Sequence, residues 1–194
     1  MSLLKETLFL VRIDSDYCDY LRKFDKRVPY NFKQKELRPF VGVLFIIDNY
    51  KYFAPLSSPK QKHLKMKNKL DFLKIDDGKL GAINFNNMLP VNDKNVILLD
   101  LNAKFDSVKK QQYYKLLKKQ IFWLNRNSDK LYSQSKELYL KYLDNTLAPS
   151  IFARCCDFKL LEAKCEEYNQ NYTIWFYIFP LLKNMSKYDI LSVV

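Results

Sequence analysis

The chain has 194 residues, of which 48% are hydrophobic and 28% charged, values typical of one soluble domain with a proper core. It contains only 3 glycines and neither a G-x-G-x-x-G nor a Walker A pattern, so nucleotide-dependent chemistry through those loops is not expected. Its 33 lysines and arginines against 21 acidic residues give a net charge of +12, which favours a polyanionic partner, nucleic acid first and an anionic membrane surface second.

The cysteines indicate reduced thiols and not a disulfide or zinc framework. No C-x-x-C spacing occurs, only one histidine is present, and adjacent Cys155 and Cys156 are an awkward pair to bridge. The N-terminal segment lacks a small-residue cleavage site, and the most apolar late stretch, 173–182, is too short to span a bilayer. We therefore expect a cytoplasmic protein.

Strand patterns dominate the first hundred residues. An apolar strand at 8–13 is followed by a helix that Ser15 can cap, with Tyr17, Leu21 and Phe24 on one face. A basic stretch at 26–37 is predicted to be an exposed loop. The further predicted strands are 40–47, 51–56, 72–75, 80–85 and a last core strand at 95–101, with hairpin turns at 48–49 and 76–78 and a short basic helix within 59–69.

From residue 107 the apolar periodicity becomes helical. Tyr113, Leu117 and Leu124 fall on the side predicted to be core, and lysines occupy the opposite side. Further helices are predicted after 127–129 and over 157–168. Strands followed by helices indicate the α+β class, and we expect a single domain over 1–194 whose aromatic-rich tail, 169–194, has no assigned role.

The segment 57–63 is the strongest candidate for chemistry, because it combines two serines, a lysine and the single histidine. Pro59 fixes its own φ and biases Ser58 toward an extended conformation, so a strand is expected to end here. Hydroxyls and backbone N–H groups at such a junction suit a phosphate oxygen, and Lys60 could neutralise charge that develops on it. The alternative is an ordinary helix start on a basic surface, capped by Ser57 or Ser58.

Several segments, in the same order, resemble the ToxN/AbiQ family, the endoribonuclease toxins of type III toxin–antitoxin and phage abortive-infection systems. The more specific ones are A-P-L-S-S-P-K at 54–60 and I-N-F-N-N-M-L-P at 83–90. The others are 11–29, 38–42, 80–84, 98–101, 124–130 and 158–162. The resemblance covers residues 8–168, and within the family the AbiQ branch looks nearest.

This resemblance implies a compact antiparallel, barrel-like sheet with flanking helices, similar to the Kid/MazF toxin fold. It implies RNA cleavage that uses no metal or other cofactor and leaves a 2′,3′-cyclic phosphate. The implied partner is a small repetitive RNA antitoxin, which the toxin cuts from a precursor and which then blocks the active site. Cellular and phage RNAs are the implied substrates, no membrane partner is expected, and oligomerisation would occur at most through the RNA complex.

The resemblance also assigns site residues. The catalytic positions are Ser57, Ser58, Lys60 and Arg38, and Arg38 would act electrostatically, because arginine is not a general acid or base at ordinary pH. Ser58 is expected to donate a hydrogen bond and not to act as a covalent nucleophile, since no histidine–carboxylate relay accompanies it. The candidate RNA-binding residues are Tyr30, from the same resemblance, and, from their residue types alone, Lys62, His63, Lys65, Asn86 and Asn87.

Less specific readings of the same residues remain open. The lysines can be a solvated face, His63 an inert surface residue, and the asparagines parts of a turn. Asp71, Asp76 and Asp77 could hold Mg²⁺, although an aspartate–aspartate–glycine sequence is more often only a turn. The alternative functions are a non-catalytic basic RNA-binding module and, third, a peripheral membrane protein.

Overall fold

The computed structural model describes residues 7–29 and 38–182, with side chains up to residue 170. Its elements are β1 (Phe9–Ile13), α1 (Ser15–Phe24), β2 (Phe40–Gly42), β3 (Ile46–Ile47), β4 (Tyr50–Ser57), α2 (Gln61–Lys65), β5 (Phe72–Ile75), β6 (Gly81–Asn84), β7 (Leu89–Val91), β8 (Val96–Leu98), α3 (Val108–Arg126), α4 (Ser128–Leu143), α5 (Pro149–Phe152) and α6 (Phe158–Leu182). The described strands lie within residues 9–98 and α3 to α6 follow them, with α1 and α2 between strands, which agrees with the α+β prediction.

Strand β4 is the centre of the antiparallel sheet. The order across the sheet is β5-β6-β4-β2-β1-β8, and β3 and β7 also pair with β4. The N-terminal half of β4 pairs with β3 and β7, whereas its C-terminal half pairs with β2 and β6. Because four strands hold β4, the point where it ends, at Ser57, is fixed from both sides.

Three strand predictions need correction. The predicted strand 40–47 is two strands, β2 and β3, both paired with β4. The strand predicted at 95–101 is shorter and is not in the core, since β8 pairs with β1 alone and its Leu98 is 72% exposed. The path of described strands runs from β5 to β8 without closing, so the expected barrel is an open sheet here.

Two local predictions about turns and caps have different outcomes. The hairpin at 48–49 is confirmed, with φ of 46° at Asp48 and 72° at Asn49, the left-handed values that a tight hairpin turn requires. The cap of α1 is Asp14, whose side chain accepts a hydrogen bond from the Tyr17 N–H, and not Ser15. Tyr17 and Leu21 are buried as predicted, but Phe24 is 40% exposed.

The helical half packs its apolar faces on the sheet. Helix α3 begins after Ser107, which caps it, and α6 continues well past the predicted end at 168, so the backbone of the predicted tail is helical as far as Leu182. The four cysteines are buried free thiols. Among the described helices, none combines the length and the apolar composition needed to cross a membrane.

Candidate active site

The segment that follows β4 turns away from the sheet without a serine cap. Helix α2 begins after Lys60, whose side chain makes no capping hydrogen bond, and Ser57 and Ser58 lie further upstream. The helix-capping interpretation of the two serines is therefore wrong. Ser57 is half-buried and accepts a hydrogen bond from the Asn84 side-chain amide at 2.9 Å, whereas Ser58 is exposed.

The turn of the hairpin formed by β5 and β6 packs against this segment. Gly78, in the turn between the two strands, has a φ of +93°, and a Cβ atom there would lie 2.8 Å from the backbone carbonyl carbon and oxygen of His63. A residue with a side chain would need both a strained backbone and a displaced loop. The glycine therefore lets the loop that carries the candidate residues lie directly on the hairpin.

Ser57 and Ser58 open into a pocket of about 550 Å³, called here the serine pocket. Its polar and charged lining residues are Arg38, Ser57, Ser58, Lys60, Ser107, Lys109, Lys110 and Tyr113. The residue before β2 and the loop after β4 form one wall, and the start of α3 forms the other. Four of these side chains are cations and none is a carboxylate, so the pocket has a strongly positive potential.

Three polar side chains of the serine pocket have no partner in the described structure. Within the described parts of the chain, the side chains of Arg38, Ser58 and Lys60 take part in no hydrogen bond or ion pair. Burial lowers the pKa of Arg38, and the positive charge of Arg22 lowers it further, with an opposing contribution from Cys18. Arginine nevertheless stays cationic at neutral pH. The pocket thus offers two charges and a hydroxyl to an incoming anion.

A second pocket of about 370 Å³, called here the lysine pocket, adjoins the first. Ser57 and Lys60 line both, so the two pockets adjoin at these residues, and the pair is called here the groove. The other lining residues of the lysine pocket are Lys62, His63, Met66, Lys67, Lys69, Asp71, Phe72, Asn84, Asn86 and Arg154. It too is predominantly cationic.

Only some of the candidate RNA-binding residues line this groove. Lys62, His63 and Asn86 line the lysine pocket. Lys65 is exposed at the end of α2 and lines neither pocket, and Asn87 donates its side-chain N–H to the Arg27 carbonyl at 2.9 Å, also outside the groove. Tyr30 lies outside the described residues.

His63 is not the surface residue that its basic neighbourhood suggested. It is only 2% exposed, and its ring lies edge-on to Phe72 with 5.9 Å between ring centroids. Its Nδ1 is buried without a hydrogen-bond partner in the described structure. Burial, followed by the charges of Lys60 and Lys62, lowers the pKa of His63, so the neutral imidazole is favoured.

The sequence interpretation missed the wall that α3 contributes. Tyr113 was predicted to be core, but it is half-buried and lines the serine pocket, and burial raises its pKa to about 12. Lys109 and Lys110 stand beside it. The lysine side of α3 is visible in the sequence, but helical periodicity does not tell which strand end that side faces.

The three aspartates considered for Mg²⁺ are placed differently. Asp71 is buried and its Oδ2 accepts two hydrogen bonds from Arg154. Asp76 and Asp77 lie in the turn between β5 and β6 with φ values of 48° and 50°. They have the structural role of a turn, as the simpler reading proposed.

Exposed hydroxyls among cations that no carboxylate neutralises are suited to a phosphodiester, because they can bind its nonbridging oxygens and stabilise added negative charge. The fold and the groove therefore describe a candidate site for a nucleic-acid chain. A comparison with known proteins agrees with this chemistry. The model of the family described as "Toxin ToxN, type III toxin-antitoxin system" matches residues 9–166. The chain belongs to this ToxN/AbiQ family, which confirms the resemblance seen in the sequence.

Individual relatives cover most of the chain. Endoribonuclease ToxN of Bacillus thuringiensis subsp. kurstaki is 34% identical over 163 residues, which are 81% of this chain and 82% of that protein. A solved structure concerning selective toxin inhibition by a non-coding RNA pseudoknot has a TM-score of 0.71 and 32% identity, and covers 84% of this chain and 99% of that one. The structure of AbiQ, a lactococcal anti-phage endoribonuclease, has a TM-score of 0.72 and 29% identity, with 85% and 99% covered. Identity is thus not higher with AbiQ, although the fold matches it equally well.

Proposed function

We propose that this chain is an endoribonuclease toxin of a type III toxin–antitoxin system and that it cleaves RNA in the serine pocket. The observation that carries the proposal is the convergence of Arg38, Ser58 and Lys60, none of which is engaged elsewhere in the described structure, on one pocket. Ser57, the fourth residue expected to take part in catalysis, lines the same pocket. Family membership supports the same reaction, because the relatives are named as endoribonucleases.

The reaction needs no external nucleophile. The 2′-hydroxyl of the substrate loses its proton as it attacks the adjacent phosphorus and the bond from phosphorus to O2′ forms. The bond to the 5′-oxygen of the next nucleotide breaks, and that oxygen takes up a proton. The products are a 2′,3′-cyclic phosphate and a 5′-hydroxyl. Arg38 and Lys60 stabilise the extra negative charge of the pentavalent transition state, and Ser57 and Ser58 donate hydrogen bonds to the nonbridging oxygens. No divalent metal takes part in this scheme.

The partner and the substrates follow from the same proposal. A related toxin is inhibited by a non-coding RNA pseudoknot, and a related endoribonuclease acts against phage. This chain would bind a small repetitive RNA, cut it from a precursor and be inhibited by it. Free toxin would cut cellular and phage RNA in the cytoplasm. The cationic groove, formed by the adjoining serine and lysine pockets, is the surface on which a folded RNA would lie.

The test is RNA cleavage by the purified chain in excess EDTA, with analysis of the product ends. The expected result is persistent cleavage and cyclic phosphate ends, lost in Ser58→Ala and Lys60→Ala. Matched controls are Ser150→Ala and Lys136→Ala, which change exposed residues that line neither pocket. Loss of cleavage in EDTA would overturn the metal-independent scheme.

Binding without cleavage would favour the alternative, a non-catalytic RNA-binding module. That function requires salt-dependent affinity for RNA and no product of any kind. Growth arrest on expression that survives both Ser58→Ala and Lys60→Ala would point the same way. Growth arrest abolished by either variant, with folding intact, supports the enzyme.

The relation to the Kid/MazF fold is a separate proposal. Its support is the central position of β4 in an antiparallel sheet whose strands are followed by four helices, α3 to α6. The open path from β5 to β8 would then correspond to a barrel that is incompletely closed. Superposition on Kid or MazF tests this, and a match of fewer than half of the strands in the same order would exclude it.

A further inference from the structure

The lysine pocket adjoins the serine pocket, in which the cleaved phosphodiester is proposed to bind. Ser57 and Lys60 belong to both pockets, so a phosphate held between them is at the boundary. An RNA strand that enters the serine pocket therefore places a neighbouring base at or near the lysine pocket. The lysines at its rim, Lys62, Lys67 and Lys69, are exposed and can hold flanking phosphates.

A buried carboxylate with an unused oxygen forms part of the lining of this pocket. Asp71 is 3% exposed, and its Oδ2 accepts hydrogen bonds from Nε of Arg154 at 3.0 Å and from Nη2 at 2.8 Å. Its Oδ1 is buried and has no partner in the described structure. Buried carboxylate oxygens are normally paired, so this one needs an explanation.

The unpartnered Nδ1 of His63 lies in the same lining. The two asparagines of the pocket differ, because their amide N–H groups are donated to the Ser57 hydroxyl and to the Arg154 carbonyl. Phe72, which is 7% exposed, also lines the pocket, so an aromatic ring lies beside two polar groups that have no partner in the described structure. Unstacked RNA bases are recognised by this combination of aromatic contact and edge hydrogen bonds.

We propose that the lysine pocket binds one RNA base beside the cleaved phosphodiester, and that Oδ1 of Asp71 accepts a hydrogen bond from an amino group of that base. The proposal rests on the proposed RNA cleavage. A small movement of the lining on binding would bring Oδ1 into contact with the base. A carboxylate can only accept, so it selects adenine, cytosine or guanine, whose amino groups are donors. Uracil is selected against, since its single N3–H lies between two carbonyl oxygens that would face the carboxylate.

The first experiment uses the unmodified chain. An RNA pool with randomised nucleotides around a cut site is digested briefly, and the cut products are sequenced. At one position within about two nucleotides of the cut, uridine is expected to be depleted about tenfold or more. The amino group of the preferred base at that position is then removed, with purine riboside for adenosine, inosine for guanosine or 2-pyrimidinone riboside for cytidine, and kcat/KM should fall about tenfold.

The second experiment changes the acceptor into a donor. In Asp71→Asn, the side-chain oxygen can stay on Arg154 while the amide N–H₂ replaces Oδ1. The depletion of uridine and the penalty for amino-group removal should both disappear. Asp144→Asn, an exposed change outside both pockets, should keep the wild-type preference.

The possible failures are distinguishable. If the chain cuts RNA but accepts uridine equally at every position near the cut, the base proposal is wrong and the proposed function stands. A preference that persists unchanged in a folded Asp71→Asn variant would also overturn it. If no RNA is cut at all, the proposed function itself fails. Should the variant not fold, the amino-group deletion in the substrate still decides the question.

Discussion

Gly81 lies directly against the backbone of Ser57. A Cβ atom at position 81 would collide with the Ser57 carbonyl oxygen and would stand 3.1 Å from the carbonyl carbons of Ser57 and Ser58. Gly81 also has a φ of +105°, which L side chains rarely adopt. The first residue of β6 thereby sets the position of the two serines, although it contributes no side chain to the site.

Replacing Gly81 by alanine should therefore impair the site as well as the fold. The strained φ and the collision are expected to lower the free energy of unfolding by about 1–3 kcal/mol. Displacement of the serines should reduce RNA cleavage by about 100-fold, since misplacement by about 1 Å has effects of that size. Urea unfolding and cleavage kinetics measure the two effects.

Lys79→Ala is the matched control for Gly81→Ala, because Lys79 is exposed in the same turn and lines neither pocket. It should change both quantities little. If Gly81→Ala cleaves RNA at the wild-type rate, the close contact with Ser57 does not position the reacting groups.

Ser57 and Ser58 should separate stability from activity. The hydroxyl of Ser58 has no partner in the described structure, so Ser58→Ala should change the free energy of unfolding by less than about 0.5 kcal/mol. Ser57→Ala removes the acceptor of the Asn84 amide and should cost about 1 kcal/mol. Loss of a transition-state donor should lower kcat by about 100-fold or more in Ser58→Ala.

Thermal unfolding and single-turnover cleavage of both serine variants test this pair of expectations. A Ser58→Ala protein that is strongly destabilised would show that the hydroxyl has a structural role. A stable Ser58→Ala protein with wild-type kcat would remove Ser58 from the reaction.

The sequence predicted one wall of the serine pocket and not the other. Ser57, Ser58 and Lys60 stand in one short motif, and Arg38 precedes the strand that pairs with β4, so local sequence and the family pattern were sufficient. Lys109 and Tyr113 come from a helix some fifty residues away in the chain. Periodicity shows which side of α3 is polar, but only the packing of α3 on the sheet decides what that side faces.

His63 should make stability depend on pH in the mildly acidic range. Its pKa is lowered in the folded protein by burial and by Lys60 and Lys62, whereas an unfolded histidine has a pKa of about 6.5. Below that value the unfolded chain binds a proton that the folded chain does not bind, so the free energy of unfolding falls as the pH falls. Above it both states are neutral and His63 contributes no pH dependence.

The measurement for His63 is urea unfolding between about pH 7.5 and pH 5, compared between the wild type and His63→Gln. The wild type should lose more stability on acidification than the variant does. Carboxylates titrate in both proteins, and the difference between the two curves removes their contribution. Parallel curves would mean that His63 is protonated equally in the folded and unfolded states.

Glu162 should be a strong determinant of stability, because it joins α6 to β4. It is buried and accepts hydrogen bonds from the hydroxyls of Tyr52 at 2.7 Å and Tyr139 at 2.6 Å, and from Lys159 at 2.8 Å. Glu162→Ala removes the carboxylate to which both buried hydroxyls donate and should lower the free energy of unfolding by about 3 kcal/mol. Glu137→Ala, which breaks only an exposed pair with Lys141, should cost less than about 1 kcal/mol.

Removing the hydroxyls as well should restore part of that loss. The triple variant Tyr52→Phe/Tyr139→Phe/Glu162→Leu has no unpaired buried group, so it should be more stable than Glu162→Ala. Chemical denaturation of the single and triple variants measures the difference. A triple variant that is less stable than Glu162→Ala would show that the two hydroxyls stabilise the fold without Glu162.

The sequence predicted most strands but not their places in the sheet. The apolar patterns at 8–13 and 72–75 gave β1 and β5 almost to the residue. The same kind of pattern around Val96–Leu98 suggested a core strand, yet β8 lies at an edge and exposes Ile97 and Leu98. Apolar composition indicates a strand, whereas edge or centre depends on long-range pairing that no local pattern contains.

The lysines at the start of α3 should contribute to RNA affinity through phosphate contacts. Lys109 and Lys110 line the serine pocket together with Arg38 and Lys60 and are exposed. Each phosphate contact on a single strand contributes about 0.7 to the slope of log affinity against log salt concentration. Lys109→Gln and Lys110→Gln should each weaken binding and each reduce that slope by about 0.7.

Titrations of labelled single-stranded RNA from low to moderate salt give the slopes, and a Ser58→Ala background prevents cleavage during the measurement. The control Lys136→Gln, on the exposed side of α4, should leave the slopes unchanged. Slopes that stay the same in the two α3 variants would place the RNA along the lysine pocket alone.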